Sequence, residues 1–316
     1  MTGGVLSYFC FFGTVALIYG IATLGLNLQW GSAGLYNVGV AGFAAVGAYV
    51  SALLTAAPAA THWGGFELPI ALGWAGAMAA AALVAAVVGA ATLRLRADYL
   101  AITTFGVAVT LQLVALNAQR LTGGAFGIAF IPKPFETLAG NSLAFGAANL
   151  GLVGAVTALA FWALERLTQS PWGRVLRAVR EDEAAAASLG KAPDVFRLQA
   201  FVMGAALMGL SGAMEAQFFG FIAPDNYLPV LTFQVWVMLV LGGSGNNRGA
   251  LLGAVVVWAL WALSGTALTA LLPTAWQARG AALRVVAIGI VLAAVLLLRP
   301  RGLIGERATV SRHVRG

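Results

Sequence analysis

VLSYFCFFGTVALIYGIATLGLNLQWGSAGLYNVGVAGFAAVGAYVSALLT, residues 5–55, contains no Asp, Glu, Lys or Arg. At roughly 20 apolar residues per helix, the run is long enough to cross a hydrocarbon core about 30 Å thick more than once. The texture continues beyond it. No formal charge occurs between Glu67 and Arg94, from 99 to 119, or from 137 to 164. Of the 316 residues, 60% are apolar and 9% charged, whereas a soluble domain carries about a quarter charged residues. Mean hydropathy is +0.89. The fold class is therefore an all-α polytopic membrane protein, read as one transmembrane domain over 1–316. An outer-membrane barrel would instead alternate over short segments of about ten residues.

Candidate spans are 5–28, 31–55, 69–92, 99–118, 143–166, 198–220, 229–242, 250–272 and 283–298, within about 8–10 transmembrane helices once boundary error is allowed for. The net charge of +7 does not point to nucleic acid, because the basic residues lie at the ends of apolar runs and read as topology signals. Placing Arg94, Arg96, the segment 166–197, Arg248 and the segment 299–315 on one side collects 14 of the 18 Lys and Arg residues. Only Arg120, Lys133, Arg279 and Arg284 are left opposite. The richer side reads as cytoplasmic and carries the C-terminus. Nine crossings put the N-terminus outside, and a re-entrant piece would change that count. MTGGVLSYFCFF at the N-terminus has no basic region, so 5–28 reads as a retained span.

Two segments read as broken rather than simple. Residues 31–47, GSAGLYNVGVAGFAAVG, carry glycines at 31, 34, 39, 42 and 47 beside Asn37, and 242–253, GGSGNNRGALLG, repeats the texture. Irregular backbone in lipid is tolerated only where protein or a water-filled cavity covers it. Gly-interrupted segments in both halves fit a transporter built from internal repeats. Close helix packing through small residues accounts for the texture equally well.

The segment 177–191, RAVREDEAAAASLGK, gathers six of the 29 charged residues: Arg177, Arg180, Glu181, Asp182, Glu183 and Lys191. Ser170-Pro171 supplies a cap and a first-turn proline. Alanines 184–187 favour helix, and Gly190 followed by Pro193 supplies a stop. A single helix over 171–189 is expected, with Arg177–Glu181 and Arg180–Glu183 as pairs worth about 0.2–0.5 kcal/mol each. Trp172, Leu176 and Val179 share one face. A helix lying on the bilayer would explain that apolar stripe. It explains Glu181-Asp182-Glu183 less well, because the cytoplasmic leaflet is itself negative. A helix of mixed sign suits a protein partner, where complementary charge fixes register.

SPWGRVLRAVREDEAAAASLGKAPDVFRLQAFVMGAALMGLSGAM (170–214) resembles the cytoplasmic loop of ABC importer permeases of the branched-chain amino acid class, LivM type. LRLRADYLAITTFGVAVTLQLV (93–114), LTGGAFGI (121–128) and LGGSGNNRGALLGAVV (241–256) resemble further blocks of that family, so the resemblance runs from about 15 to 303. It implies a multi-pass permease of the bacterial cytoplasmic membrane, importing branched-chain amino acids or related small polar solutes. Implied partners are a homologous second permease, two cytoplasmic ATPases and an extracytoplasmic solute-binding protein. The loop 167–197 becomes a coupling loop, with Arg177, Arg180, Glu181, Asp182, Glu183 and Gly190 facing the ATPase. Two departures stand out. Four residues, not three, separate Glu183-Ala184-Ala185 from Gly190, and Val109 and Gln112 stand where many members carry an acid and a base.

No G-x-x-x-x-G-K-[ST] loop occurs, so ATP and Mg belong to partner subunits and no cofactor is expected in this chain. Lone Cys10 forms no intrachain disulfide, and with two histidines it makes no metal site. His62-Trp63 reads as an interfacial anchor. Ser211 lacks a base within the spans and reads as a small packing residue. Residues suited to line a route for a polar solute are Asn37, Thr103, Thr104, Gln112, Asn117 and Glu215; for Thr103, Thr104, Gln112 and Asn117, hydrogen bonding to neighbouring helices is the commoner fate. Glu215, the one carboxylate well inside a long span, either faces protein or water or reaches the outer headgroups. Rival functions are import of urea, amides or aromatic acids on the same scaffold. An autonomous secondary transporter or channel is a further rival, and Glu215 would be its lone candidate ion site.

Overall fold

The computed structural model describes residues 2–59, 63–95, 97–271 and 302–306, with scattered positions between 286 and 298. The expected span 283–298 and the anchor His62 fall largely or wholly outside the described residues. Among the described residues, these α-helices follow one another: α1 (Thr2–Leu26), α2 (Val40–Thr55), α3 (Ile70–Thr92), α4 (Ala97–Asn117), the short α5 (Gln119–Thr122), α6 (Ser142–Gln169), α7 (Pro171–Glu181), α8 (Glu183–Ser188), α9 (Pro193–Phe219), α10 (Pro229–Gly242) and α11 (Asn247–Leu271). Strands β1 (Ile128–Ala129) and β2 (Phe221–Ile222) pair antiparallel. Among the described residues, six helices are long and apolar enough to span a membrane. The other two apolar helices are α2, of 16 residues, and α10, of 14. At 1.5 Å per residue these reach only about 24 and 21 Å, short of the full hydrocarbon thickness.

The packing follows from alanine and glycine. On α3 the residues recurring every fourth position, Gly73, Ala77, Ala81, Ala85 and Gly89, are buried, while Leu83 and Val87 are each 67% exposed. Small side chains thus face protein and large ones face the bilayer side. That arrangement suits helices held together by close van der Waals contact, because lipid is as apolar as leucine. The central helix is α9. A Cβ on Gly204 would strike Gly25 of α1, one on Gly209 would meet Ala77 and Ala81 of α3, and one on Gly212 would strike the Ala44 carbonyl of α2. Phe43 and Phe201 close the core edge to face at 5.6 Å.

One end of the bundle gathers the C-terminus of α6, α7, α8, the start of α9, the turn after α1 and residues 302–306. Leu303 and Ile304 donate their N–H groups to Leu241 and Gly242 there. The opposite end carries the β1–β2 ribbon and the α4–α6 and α9–α10 connections. Among the described basic residues, Arg94, Arg166, Arg174, Arg177, Arg180, Lys191, Arg197 and Arg248 belong to the first end, and Arg120 and Lys133 to the second. For these described residues, the charge partition expected from the sequence is a partition in space.

The first Gly-rich segment is broken, at a narrower place than expected. Helix α1 passes into a π-helical turn, Asn27–Ser32, and residues 34–39 then run without helical structure before α2 starts at Val40. Glycines 42 and 47 lie inside α2 and serve its packing. The second segment is interrupted only at 243–246, between α10 and α11.

Candidate functional site

The polar insert folds as two helices, not the single helix expected over 171–189. Ser170 Oγ accepts from the Gly173 N–H at the start of α7, as its position before Pro171 requires. Asp182 then leaves helical geometry at φ −150°, ψ 102° and caps α8, its side chain accepting from the Ala185 N–H. The middle member of the acidic triplet, expected to face a partner, also serves as a helix cap. The chain ends α8 at Gly190, φ +75°, a left-handed stop that favours glycine. Asp182→Ala is expected to cost about 1 kcal/mol of stability, measured as a lowered unfolding midpoint in detergent.

The apolar stripe of α7 is confirmed, but it faces protein. Leu176 and Val179 are buried, and Trp172 donates its Nε1–H to Gln199 of α9 at 2.7 Å. The outer surface is left open: Arg174, Ala178, Glu181, Asp182, Glu183, Lys191 and Asp194 are exposed, as is Leu189 at 79%. The helix pairs differ from expectation. Neither Arg177–Glu181 nor Arg180–Glu183 is among the ion pairs of the described residues. Glu183 instead meets Arg197 at 2.9 Å, and Arg180 turns inward to Gly31 and Glu306. Both partners lie too far away in sequence for helical spacing to reveal them.

The break after α1 forms the second polar constellation. Asn37 is fully buried. Its Nδ2 donates to Gln29 Oε1 at 2.7 Å, and its Oδ1 accepts from the Gly39 N–H at 2.7 Å. Trp236 Nε1–H donates to the Asn37 carbonyl at 2.9 Å. Val38 N–H reaches Thr104 Oγ1 at 3.0 Å, and Ala41 N–H reaches Thr232 Oγ1 at 2.9 Å. Backbone groups that a broken helix leaves unpaired are thereby satisfied from α4 and α10, as burial away from water demands. Trp30, Tyr36 and Trp236 cluster beside the break with ring centroids 4.8–5.5 Å apart.

Of the six candidate pathway residues, the structure brings only Asn37 and Thr104 together. Thr103 and Asn117 bond back to their own helix, to the Tyr99 and Leu113 carbonyls, and Gln112 is half-buried on α4. Glu215 lies apart, on α9. It is 7% exposed and accepts from the Tyr19 hydroxyl at 3.1 Å, so it faces protein. Residues not singled out from the sequence also matter: Gln29, Asn27, Glu165, Asn247 and Glu306. The signal for Asn27 and Gln29 was available, since two amides interrupt an otherwise apolar stretch. At the opposite end of the molecule, Glu67, Lys133 and Glu136 line a cavity of about 750 Å³ together with Ile131, Pro132 and Phe219.

The family described as the permease component of the branched-chain amino acid transport system matches residues 8–297. The high-affinity branched-chain amino acid transport system permease protein LivM of Escherichia coli K12 is 36% identical over 267 residues, covering 77% of this chain and 60% of that protein. The probable LivM permease of Methanocaldococcus jannaschii is 28% identical over 266 residues, with 75% and 76% covered. The corresponding LivH permease of Escherichia coli K12 is 28% identical over 313 residues, with 93% of each chain covered. The chain thus spans about 60% of the length of the bacterial LivM relatives it matches. No solved structure matches. With the match running from near the start of α1 to beyond α11, through every helix described above, the chain belongs to the family of branched-chain amino acid transport system permease components.

Proposed function

We propose that this chain is the transmembrane permease subunit of an ATP-driven importer for branched-chain amino acids or chemically related small solutes. The observation that carries the reading is the solvent-facing side of α7 and α8. It is a doubly capped helix pair whose apolar side is already satisfied by the bundle. Its outer side offers Arg174, Glu181, Glu183, Leu189 and Lys191 to a partner. An exposed leucine among charges of both signs suits a protein groove, an apolar anchor with a charged rim. The partner receiving it is a cytoplasmic ATPase, which places this end of the molecule and residues 302–306 on the cytoplasmic side, in keeping with its basic charge. A second, homologous permease, a second ATPase and an extracytoplasmic binding protein complete the assembly. ATP enters as a population shift: closure of the ATPases favours one of two arrangements of the spans. The ATP and its Mg are bound by the partners. Selection of leucine, isoleucine or valine over urea, amides or aromatic acids rests on the binding protein.

The test uses proteoliposomes containing the assembled complex and the binding protein. ATP-dependent uptake of radiolabelled leucine is expected, and uptake that persists without ATP or ATPases overturns the reading in favour of a secondary transporter or channel. Leu189→Asp is expected to abolish ATPase co-purification while insertion and the unfolding midpoint stay unchanged, because Leu189 contributes little to the fold. Retained ATPase binding and transport in that variant would place the contact elsewhere.

A further inference from the structure

We propose that Arg180 is not an ATPase contact but the positioning residue that ties α7 to the break in the membrane. This rests on the importer reading above. The guanidinium donates hydrogen bonds at two points, with Glu181 Oε1 a looser neighbour at 3.8 Å. Nη1 donates to the Gly31 carbonyl, and Nη2 donates to both carboxylate oxygens of Glu306 at 3.1 Å. Its side chain is 23% exposed, against 74% for its neighbour Glu181. The aliphatic stem lies against Gly34, where a Cβ would come within 3.0 Å of Arg180 Cγ.

Gly31 lies in the last turn of the π-helical segment that closes α1, and its carbonyl belongs to the unpaired, partly negative set at a helix C-terminus. A cation there is favoured, and arginine is suited because one planar fork serves two acceptors at once. The contact does not stop at Gly31. Glu306 lies over Gly245, and the Gly245 N–H donates to Asn27 Oδ1 at 2.8 Å. Asn27 Nδ2 donates to Asn247 Oδ1 at 2.8 Å, and Asn247 Nδ2 donates to Glu165 Oε2 at 3.0 Å. One continuous network therefore joins α7, the turn after α1, the 243–246 connection, α11, α6 and residues 302–306. Displacement of α7 moves Gly31, and with it Trp30 and the unwound residues 34–39. The exposed face of α7–α8 receives the push, and Arg180 on the buried face hands it on.

The experiment compares wild type, Arg180→Gln, Arg180→Lys and Glu306→Gln in the full complex. ATP-driven leucine uptake by wild type establishes the underlying reading independently. R180Q is expected to keep ATPase co-purification but to lower uptake per ATP hydrolysed roughly tenfold, the scale of one charge-assisted hydrogen bond. R180K falls between, because an ammonium on that stem keeps the charge for Glu306 without the two-point fork. E306Q loses less than R180Q, since Gly31 keeps its donor. Hydrogen exchange on the permease alone reads the same link without transport: the amides of Leu35 and Gly245 should exchange faster in R180Q than in wild type. R180K carries the test if R180Q does not insert. Wild-type uptake per ATP in R180Q and R180K overturns the proposal. So does loss of ATPase binding with unchanged exchange at Leu35 and Gly245.

Discussion

Gly47→Val is expected to leave almost no folded protein in the membrane, and Gly47→Ala to lower stability by about 2–3 kcal/mol. Gly47 sits on α2 where α9 crosses it, and a Cβ there would collide with the Gly209 carbonyl and Cα. Backbone cannot swing aside as a side chain can. Nor can α9 retreat as a whole, because Gly209 on its other side already touches Ala77 and Ala81 of α3, and Gly204 touches Gly25 of α1. A methyl at one crossing therefore strains three. Bilayer lipid offers no hydrophobic gain to offset the lost contact, since helix association there rests on close packing. Gly151→Ala supplies the control. Its Cβ would meet nothing within 4 Å, and the change is neutral or stabilises α6 by up to about 1 kcal/mol through helix propensity. Size-exclusion profiles and unfolding midpoints in detergent read both. Equal midpoints for G47A and G151A would sink the argument.

That packing shows where the sequence was informative. Charge-free runs located the spans, because only long apolar helices or closed barrels avoid stranding backbone groups in lipid. Ser170, Pro171 and Gly190 marked the ends of the insert because each acts through local backbone chemistry. The glycines of 31–47 were legible as a group but not individually. Gly42 and Gly47 pack α2 from within a regular helix, whereas Gly34, at φ +69°, belongs to the unwound stretch. What separates them is the supply of distant hydrogen-bond partners, Thr104, Thr232 and Trp236, which no local pattern encodes. Arg180 illustrates the same limit. Its sequence neighbours suggest an exposed pair on one helix; Glu181 does lie 3.8 Å away, but both hydrogen-bond partners come from 149 and 126 residues away. Asp182 was the avoidable miss, since an aspartate just ahead of an alanine run is a cap signal.

Asn37→Leu is expected to destabilise the protein by about 3 kcal/mol, because it strands two buried polar groups at once. Leucine and asparagine carry the same number of side-chain heavy atoms in the same branched layout, so the loss is chemical more than steric. The Gly39 N–H loses its acceptor and Gln29 Oε1 loses its donor. Gln29 cannot recover by turning over, since its Nε2 already donates to the Phe201 carbonyl at 2.7 Å. Asn37→Asp is expected to be at least as damaging. It keeps an acceptor for Gly39 but sets a buried carboxylate against Gln29 Oε1 and removes the amide donor. The unwound residues 34–39 depend on this side chain because regular helix would have supplied those partners from its own backbone. A double-mutant cycle of Gln29→Ala and Asn37→Ala should give a coupling of about 1 kcal/mol. Additive losses, or an N37L midpoint equal to wild type, would mean the break is held by α4 and α10 alone. In that case Thr104→Val and Trp236→Phe, which remove the remaining donors and acceptors, become the destabilising changes.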